Sequence, residues 1–103
     1  MSEAILENKT KQKITRPPKY CVVMFNDNLT TQEFVVDVII KYYNKTEAEA
    51  EILMNQIHVE GKAIVGKGYD LDIAKTKVKK TTIYAQSKNF PLKAEVQTQE
   101  GES

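Results

Sequence analysis

Apolar and polar positions fall into blocks along this chain, and the period within each block predicts six elements of secondary structure. Tyr20 to Phe25 is rich in β-branched and aromatic residues and reads as a strand. Asn26-Asp27-Asn28 breaks that run with three carbonyl-bearing side chains. Thr30, with Glu33 three residues on, predicts a capping box that opens a helix over about Thr31 to Tyr43. Phe34, Val35, Val38, Ile39 and Tyr42 recur there at helical spacing and form its buried face. Asn44 and Lys45 make a short break, and Thr46 with Glu49 offers a second capping box. The helix after it runs to about His58 with Ala50, Leu53, Met54 and Ile57 on one face, and Gly61 can stop it.

Lys62 to Val65 is a short strand candidate, and Gly66 and Gly68 around Lys67 predict a turn leading to Asp70 as the N-cap of a third helix. That helix carries Leu71, Ala74, Val78 and Ala85 inside and Lys75, Lys77, Lys79 and Lys80 largely outside. Leu92, Ala94 and Val96 then alternate with Lys93 and Glu95, the period of an edge or half-buried strand. The order β-α-α-β-α-β predicts an α+β fold, a single two-layer domain in which three helices cover one face of a three-stranded antiparallel sheet. Residues 1–18 are polar, lack an apolar period and contain Arg16-Pro17-Pro18, the composition of a flexible arm. The domain is expected over residues 19–97, and residues 98–103 as a disordered polar tail.

Length and charge narrow the function without choosing one. The 103 residues allow one modest core. Fifteen Lys and Arg against fourteen Asp and Glu give a net charge of +1, which supplies no electrostatic case for a nucleic acid or an anionic membrane. The lysines of the third helix, with Lys62, Lys67 and Lys88, form the one candidate basic face, and steeply salt-dependent RNA binding would be its signature. One cysteine, Cys21, rules out an intramolecular disulfide and fits a reducing, cytoplasmic location. No apolar run approaches the roughly 18 residues of a membrane span, and the N-terminus lacks the apolar segment of a secretory signal. An enzyme reading finds no nucleophile motif, since Cys21 lies among apolar residues and His58 is the only histidine. One His and one Cys far apart give no metal site, Gly66-Lys67-Gly68 is too short for a phosphate loop, and no cofactor is expected.

Five separated motifs are shared, in order and spacing, with one family. They are Val22-Val23-Met24-Phe25-Asn26-Asp27, Glu33-Phe34-Val35-Val36-Asp37-Val38, Ile57-His58 before Gly61-Lys62-Ala63, Ala74 to Val78, and Phe90-Pro91-Leu92. Over about Pro17 to Val96 the chain resembles the ClpS family of adaptors for the bacterial Clp protease. The resemblance implies a non-enzymatic adaptor that binds proteins whose first residue is Leu, Phe, Tyr or Trp and hands them to an ATP-driven unfoldase of the ClpA or ClpC type.

A free N-terminus is a cation with three donors, so its site needs acceptors beside a hole for one side chain. By position, the resemblance implies that Asn26 and His58 accept from the α-amino group, with Asp27 and Asn28 in an adjoining acidic lip. It implies a hole lined by Val35, Met54, Ile57 and Leu92, with Thr30 and Gln32 at the rim. Periodicity alone reads those four apolar residues as ordinary core, and an Asx-rich turn has local reasons of its own. His58 must be neutral to accept, so affinity is expected to fall toward pH 5. Asn28 stands where most relatives have a second Asp, and Gln32 where they commonly have Met; these departures bear on affinity and on side-chain preference. Asp72 and Lys77 match the positions that contact the unfoldase's N-terminal domain, with Asp72 in place of the usual Glu. The arm before Pro17 resembles the extension that the unfoldase grips during delivery. The alternative is a generic interaction domain like the C-terminal domain of the ribosomal stalk protein, which has a similar order of elements but lacks the Asn26, Asp27 and His58 set.

Overall fold

A computed structural model describes residues 18–99. The elements are β1 (Tyr20–Phe25), α1 (Gln32–Tyr43), α2 (Glu47–Glu60), β2 (Lys62–Tyr69), α3 (Leu71–Ser87) and β3 (Lys93–Thr98). The strands form one antiparallel sheet in the order β2-β1-β3. The most apolar strand is therefore the central one: Cys21, Val22, Val23 and Met24 are all buried. α2 lies against β2, α3 lies against β3 and β1, and α1 packs against both other helices. Val22 and Met24 from β1, Ala63 and Val65 from β2 and Ala94 from β3 join Phe34, Val38, Ile39, Ala50, Ala74 and Ala85 in a single core. The expected two-layer α+β architecture is the one observed.

Local chemistry sets most boundaries. The second capping box is complete, with the Thr46 hydroxyl accepting from Glu49 N at 3.1 Å and the Glu49 carboxylate accepting from Thr46 N at 2.9 Å. The Thr46 N–H, joined by the Thr46 hydroxyl at 3.2 Å, holds the exposed Glu49 carboxyl below its usual range. Gly61, at φ +92°, takes the left-handed conformation that ends α2, and its N–H donates to Ile57 O at 2.9 Å.

Several expectations are corrected. The first cap is Thr31, whose hydroxyl accepts from Phe34 N at 3.1 Å; Thr30 is instead drawn inward by Asp27, so Thr30 and Glu33 form no capping box. Tyr43 is buried where Tyr42 was expected, and Leu71 is exposed while Thr81 occupies the inner face of α3. Asp70 is the N-cap of α3 as expected, with Ala74 N donating to its carbonyl at 3.0 Å, but its carboxylate makes no cap bond and pairs with Lys19 Nζ at 3.1 Å. β3 continues through Thr98, which pairs with Tyr20, so Thr98 does not belong to a disordered tail. The arm assigned to 1–18 lies, apart from Pro18, outside the described residues, as do residues 100–103.

The largest correction concerns the two glycines. β2 does not turn at Gly66 but runs on to Tyr69, with Gly66 opposite Val22 and Tyr69 opposite Tyr20. Gly66 is needed because the rings of two tyrosines press on it: a Cβ there would lie 2.9 Å from Tyr69 Cζ and 3.0 Å from Tyr43 Cδ1. Tyr69 has room to swing outward, but the buried Tyr43 does not. Gly66→Ala is therefore expected to cost about 1 to 2 kcal/mol, read from the urea midpoint. A wild-type midpoint would mean that Tyr43 yields.

Candidate functional site

The topology gathers three chain segments at one end of the sheet. β1 leaves the sheet at Phe25, and both neighbours begin opposite that residue, β2 at Lys62 and β3 at Lys93. The turn leaving β1, the end of α2 and the approach to β3 therefore meet there. Asn26 N donates to Gly61 O at 2.8 Å, which ties the start of the turn to the cap of α2. His58 stands in the last turn of that helix.

Within the turn, the Thr30 hydroxyl donates to Asp27 Oδ2 at 2.5 Å and Thr30 N donates to Asp27 O at 3.3 Å. This local closure occupies one carboxylate oxygen of the half-buried Asp27 and leaves Oδ1 to accept from elsewhere. Asn26 and Asn28 are exposed on either side of it, and Leu29 stands out at 74% exposure. On α2, Ile57 turns into the core while the next residue, His58, is exposed. A neutral imidazole there offers one acceptor and one donor.

Leu92 is placed by the end of α3. Asn89, at φ +64°, is the left-handed residue of a Schellman turn in which Phe90 N donates to Ala85 O at 2.9 Å and Asn89 N to Gln86 O at 3.0 Å. Phe90 then packs on Phe34 with ring centres 4.8 Å apart, and Leu92 follows as a buried residue directly ahead of β3. Val35, Ile57 and Leu92 belong to the one core cluster, with Met54 half-buried against it.

Gln32 and Met54 also line a groove of about 300 Å³ between α1 and α2, together with Glu33, Val36, Glu47 and Glu51. Sequence reasoning missed those four lining residues. Val36 follows Gln32 by one helical turn, the signal by which it was findable. Asp72 and Lys77 lie elsewhere, in a cleft of about 390 Å³ between the end of α1 and the start of α3 that also includes Lys41, Tyr42, Ile73 and Lys80. Asp72 is exposed, but Lys77 is partly committed inside the molecule: Nζ donates to Tyr42 O at 2.7 Å and lies 5.4 Å and 5.7 Å from the ring centres of Tyr69 and Tyr43. No cluster of His, Cys, Asp and Glu suited to a metal ion occurs among the described residues, and none of their helices is long and apolar enough to cross a membrane.

Residues 15–95 match the model of the family described as ATP-dependent Clp protease adaptor protein ClpS. The chain is similar to the ATP-dependent Clp protease adapter protein ClpS of Myxococcus xanthus, 37% identical over 100 residues that cover 97% of this chain and 92% of that one. It is likewise similar to the protein of that name from Treponema denticola, 42% identical over 86 residues and 84% of each chain. Among solved structures, Agrobacterium tumefaciens ClpS2 bound to L-phenylalaninamide superposes with a TM-score of 0.77 at 32% identity, covering 82% of this chain and all of that one.

Proposed function

Because the chain belongs to the ClpS family of adaptor proteins of the ATP-dependent Clp protease, which are not enzymes, we propose that the end of the sheet at Asn26 and His58 captures the free N-terminus of a substrate whose first residue is Leu, Phe, Tyr or Trp. The observation that carries this reading is the bond from Asn26 N to Gly61 O, which brings the acceptor-rich turn beside the last turn of α2. Asn26 and His58 accept from the α-ammonium, while Asp27, through Oδ1, and Asn28 form the lip. Val35, Met54, Ile57 and Leu92 wall the side-chain hole, with Thr30 and Gln32 at its rim. The ligand of the Agrobacterium protein supports the reading, since phenylalaninamide joins a free ammonium to an amide carbonyl as the first residue of a polypeptide does.

Filling such a hole with Phe or Leu contributes roughly 1.5 to 3 kcal/mol. Each charge-assisted hydrogen bond to the ammonium adds about 1.5 to 3 kcal/mol before immobilisation is charged against it. The test is fluorescence anisotropy with labelled peptides that differ only at residue one. Phe and Leu should bind on the order of tenfold or more tightly than N-acetyl-Phe, the loss of one such bond. His58→Ala should remove most of that difference, since it deletes an acceptor for the ammonium. Equal binding of free and acetylated Phe would reduce Asn26, Asp27 and His58 to a turn and a helix end, and the generic interaction domain would lead. An undiminished difference between free and acetylated Phe in His58→Ala would remove His58 as an acceptor. An Ile peptide in the same series reads out the effect of Gln32.

The partner is an AAA+ unfoldase of the ClpA or ClpC type, met through Asp72 and Lys77 in the cleft between α1 and α3, in the cytoplasm where such substrates arise. Removing the residues before Pro17 should spare peptide binding and impair degradation of a Phe-initiated reporter by the reconstituted protease. Loss of both activities would argue against that division of labour.

A further inference from the structure

The core closed by the helices takes one face of the sheet, the face carrying Val22, Met24, Ala63, Val65 and Ala94. Alternation along each strand turns Cys21 and Val23 of β1, with Ile64, Glu95 and Gln97 beside them, to the opposite face. Neither Cys21 nor Val23 belongs to the core cluster. Both are nevertheless sealed from water, at 1% and 3% exposure. The neighbours on β3 do not account for that cover. Lys93 and Glu95 pair with each other at 3.1 Å, Lys93 Nζ lies 5.6 Å from the ring centre of Phe25, and Gln97, opposite Cys21, is exposed. Beside Val23 and Ile64 the same face keeps a groove of about 350 Å³, with Gln97, Gln56 and Glu60 at its rim.

The chain itself supplies an occupant for this face. Residues 1–17 lead through Pro18 into β1, the central strand, and so join the domain at one end of the face. Ile5 and Leu6 are their one adjacent pair of large aliphatic residues. Residues 7–17 make a tether of roughly 35 to 40 Å at full extension, against about 20 Å for the six residues of β1, so the pair reaches Val23 from Pro18 with length to spare. We propose that residues 1–17 dock on this face of the sheet, with Ile5 and Leu6 seated over Val23 and Ile64. A second copy of the chain fits less well. Three strands over the length of β1 present roughly 15 by 20 Å, about 300 Å², well under the roughly 800 Å² per partner of a standard interface. A tethered segment needs no such area, because its effective concentration is on the order of millimolar. The contact withholds residues 1–17 from any partner until it opens, and it is independent of the first-residue reading.

Cys21, the only cysteine of the chain, reports on the cover. The rate at which its thiol reacts with the dianionic disulfide reagent DTNB is measured on the full chain, as wild type, I5D/L6D and I5V/L6M. In I5D/L6D the rate should rise roughly tenfold or more, and by more than the change in the unfolding equilibrium read from urea melts, because the thiol becomes accessible in the folded domain. The added Asp side chains repel the reagent, so charge works against the rise. I5V/L6M keeps the pair apolar and should react within about twofold of wild type. An unchanged rate in I5D/L6D, or a rise no larger than the loss of stability explains, overturns the proposal and leaves the strand neighbours as the cover. Protection that grows with protein concentration, together with a dimer in analytical ultracentrifugation, also overturns it and assigns the face to a second copy.

Discussion

Between pH 10 and pH 12 the folded protein should lose about 2 to 3 kcal/mol of stability through Tyr43 alone. Tyr43 is 3% exposed at the end of α1, and burial pushes its phenol up to about 12, partly offset by the hydrogen bond shared with Thr81 and slightly reinforced by Tyr69. Its hydroxyl lies 2.7 Å from Thr81 Oγ1, and Thr81 Oγ1 in turn donates to Lys77 O at 2.8 Å, so the proton on that chain runs from Tyr43 to Thr81. Below pH 10 both folded and unfolded chains hold the phenolic proton and the group contributes no slope. From pH 10 upward the unfolded chain releases it while the folded chain keeps it, so stability falls by about 1.4 kcal/mol per pH unit until the native group titrates near 12. Lysines titrate in the same range, so the informative quantity is the difference from Tyr43→Phe. That variant lacks the titration but also lacks the buried hydrogen bond, and should be about 1 kcal/mol less stable at pH 7. The two urea-derived stability curves should therefore cross near pH 11. Parallel curves from pH 7 to 12 would show that the folded protein accommodates the phenolate.

Much of this fold was legible because local and tertiary preferences agree. β1, the second capping box and the stop at Gly61 each rest on side chains whose local bonding suffices. Most of the misreadings come from a contact that overrides a sound local rule, a long-range one in each case except Thr30, whose partner lies three residues away. Gly66 and Gly68 read as a turn because glycine punctuates chains, yet Gly66 sits in β2 to make room for Tyr69 and Tyr43. Thr30 and Thr31 are alike as caps, and only the bond from Thr30 to Asp27 decides between them. Thr81 breaks the apolar pattern of α3 because its partner is a tyrosine 38 positions away. Gln97 and Thr98 are polar in a strand because the edge of a sheet tolerates them.

The candidate site divides in the same way. The Asx turn and His58 were visible as residue types at motif spacing, and the topology explains how they meet. The apolar wall was not separable from core by any period, since Val35, Ile57 and Leu92 are buried like their neighbours. Lys77 differs again: the resemblance assigns it outward, while its ammonium bonds the Tyr42 carbonyl at the end of α1. One helix thus begins beside the turn proposed to hold the substrate and ends at Lys77, the residue proposed to meet the unfoldase.

Two substitutions one helical turn apart on α1 should separate wall from core. Ile39 is fully buried and has no place in the proposed site, so Ile39→Ala should cost about 2 to 5 kcal/mol of stability, the transfer of the lost methyl groups plus the cavity left behind. In conditions where the variant remains folded, its affinity for a Phe-initiated peptide should stay within about twofold of wild type. Val35 is also buried, but on the site reading its side chain faces space that a substrate fills, so the cavity in Val35→Ala is partly one that exists already. Its stability loss should be smaller, about 1 to 2 kcal/mol for two methyl groups. Its affinity should change with the size of the first residue, improving for Trp relative to Leu as the hole widens. Urea melts and the anisotropy series measure both quantities on the same samples. If Val35→Ala loses stability as Ile39→Ala does and leaves the ranking of Leu, Phe, Tyr and Trp untouched, Val35 is core, and the hole must be bounded by Met54, Ile57 and Leu92 without it.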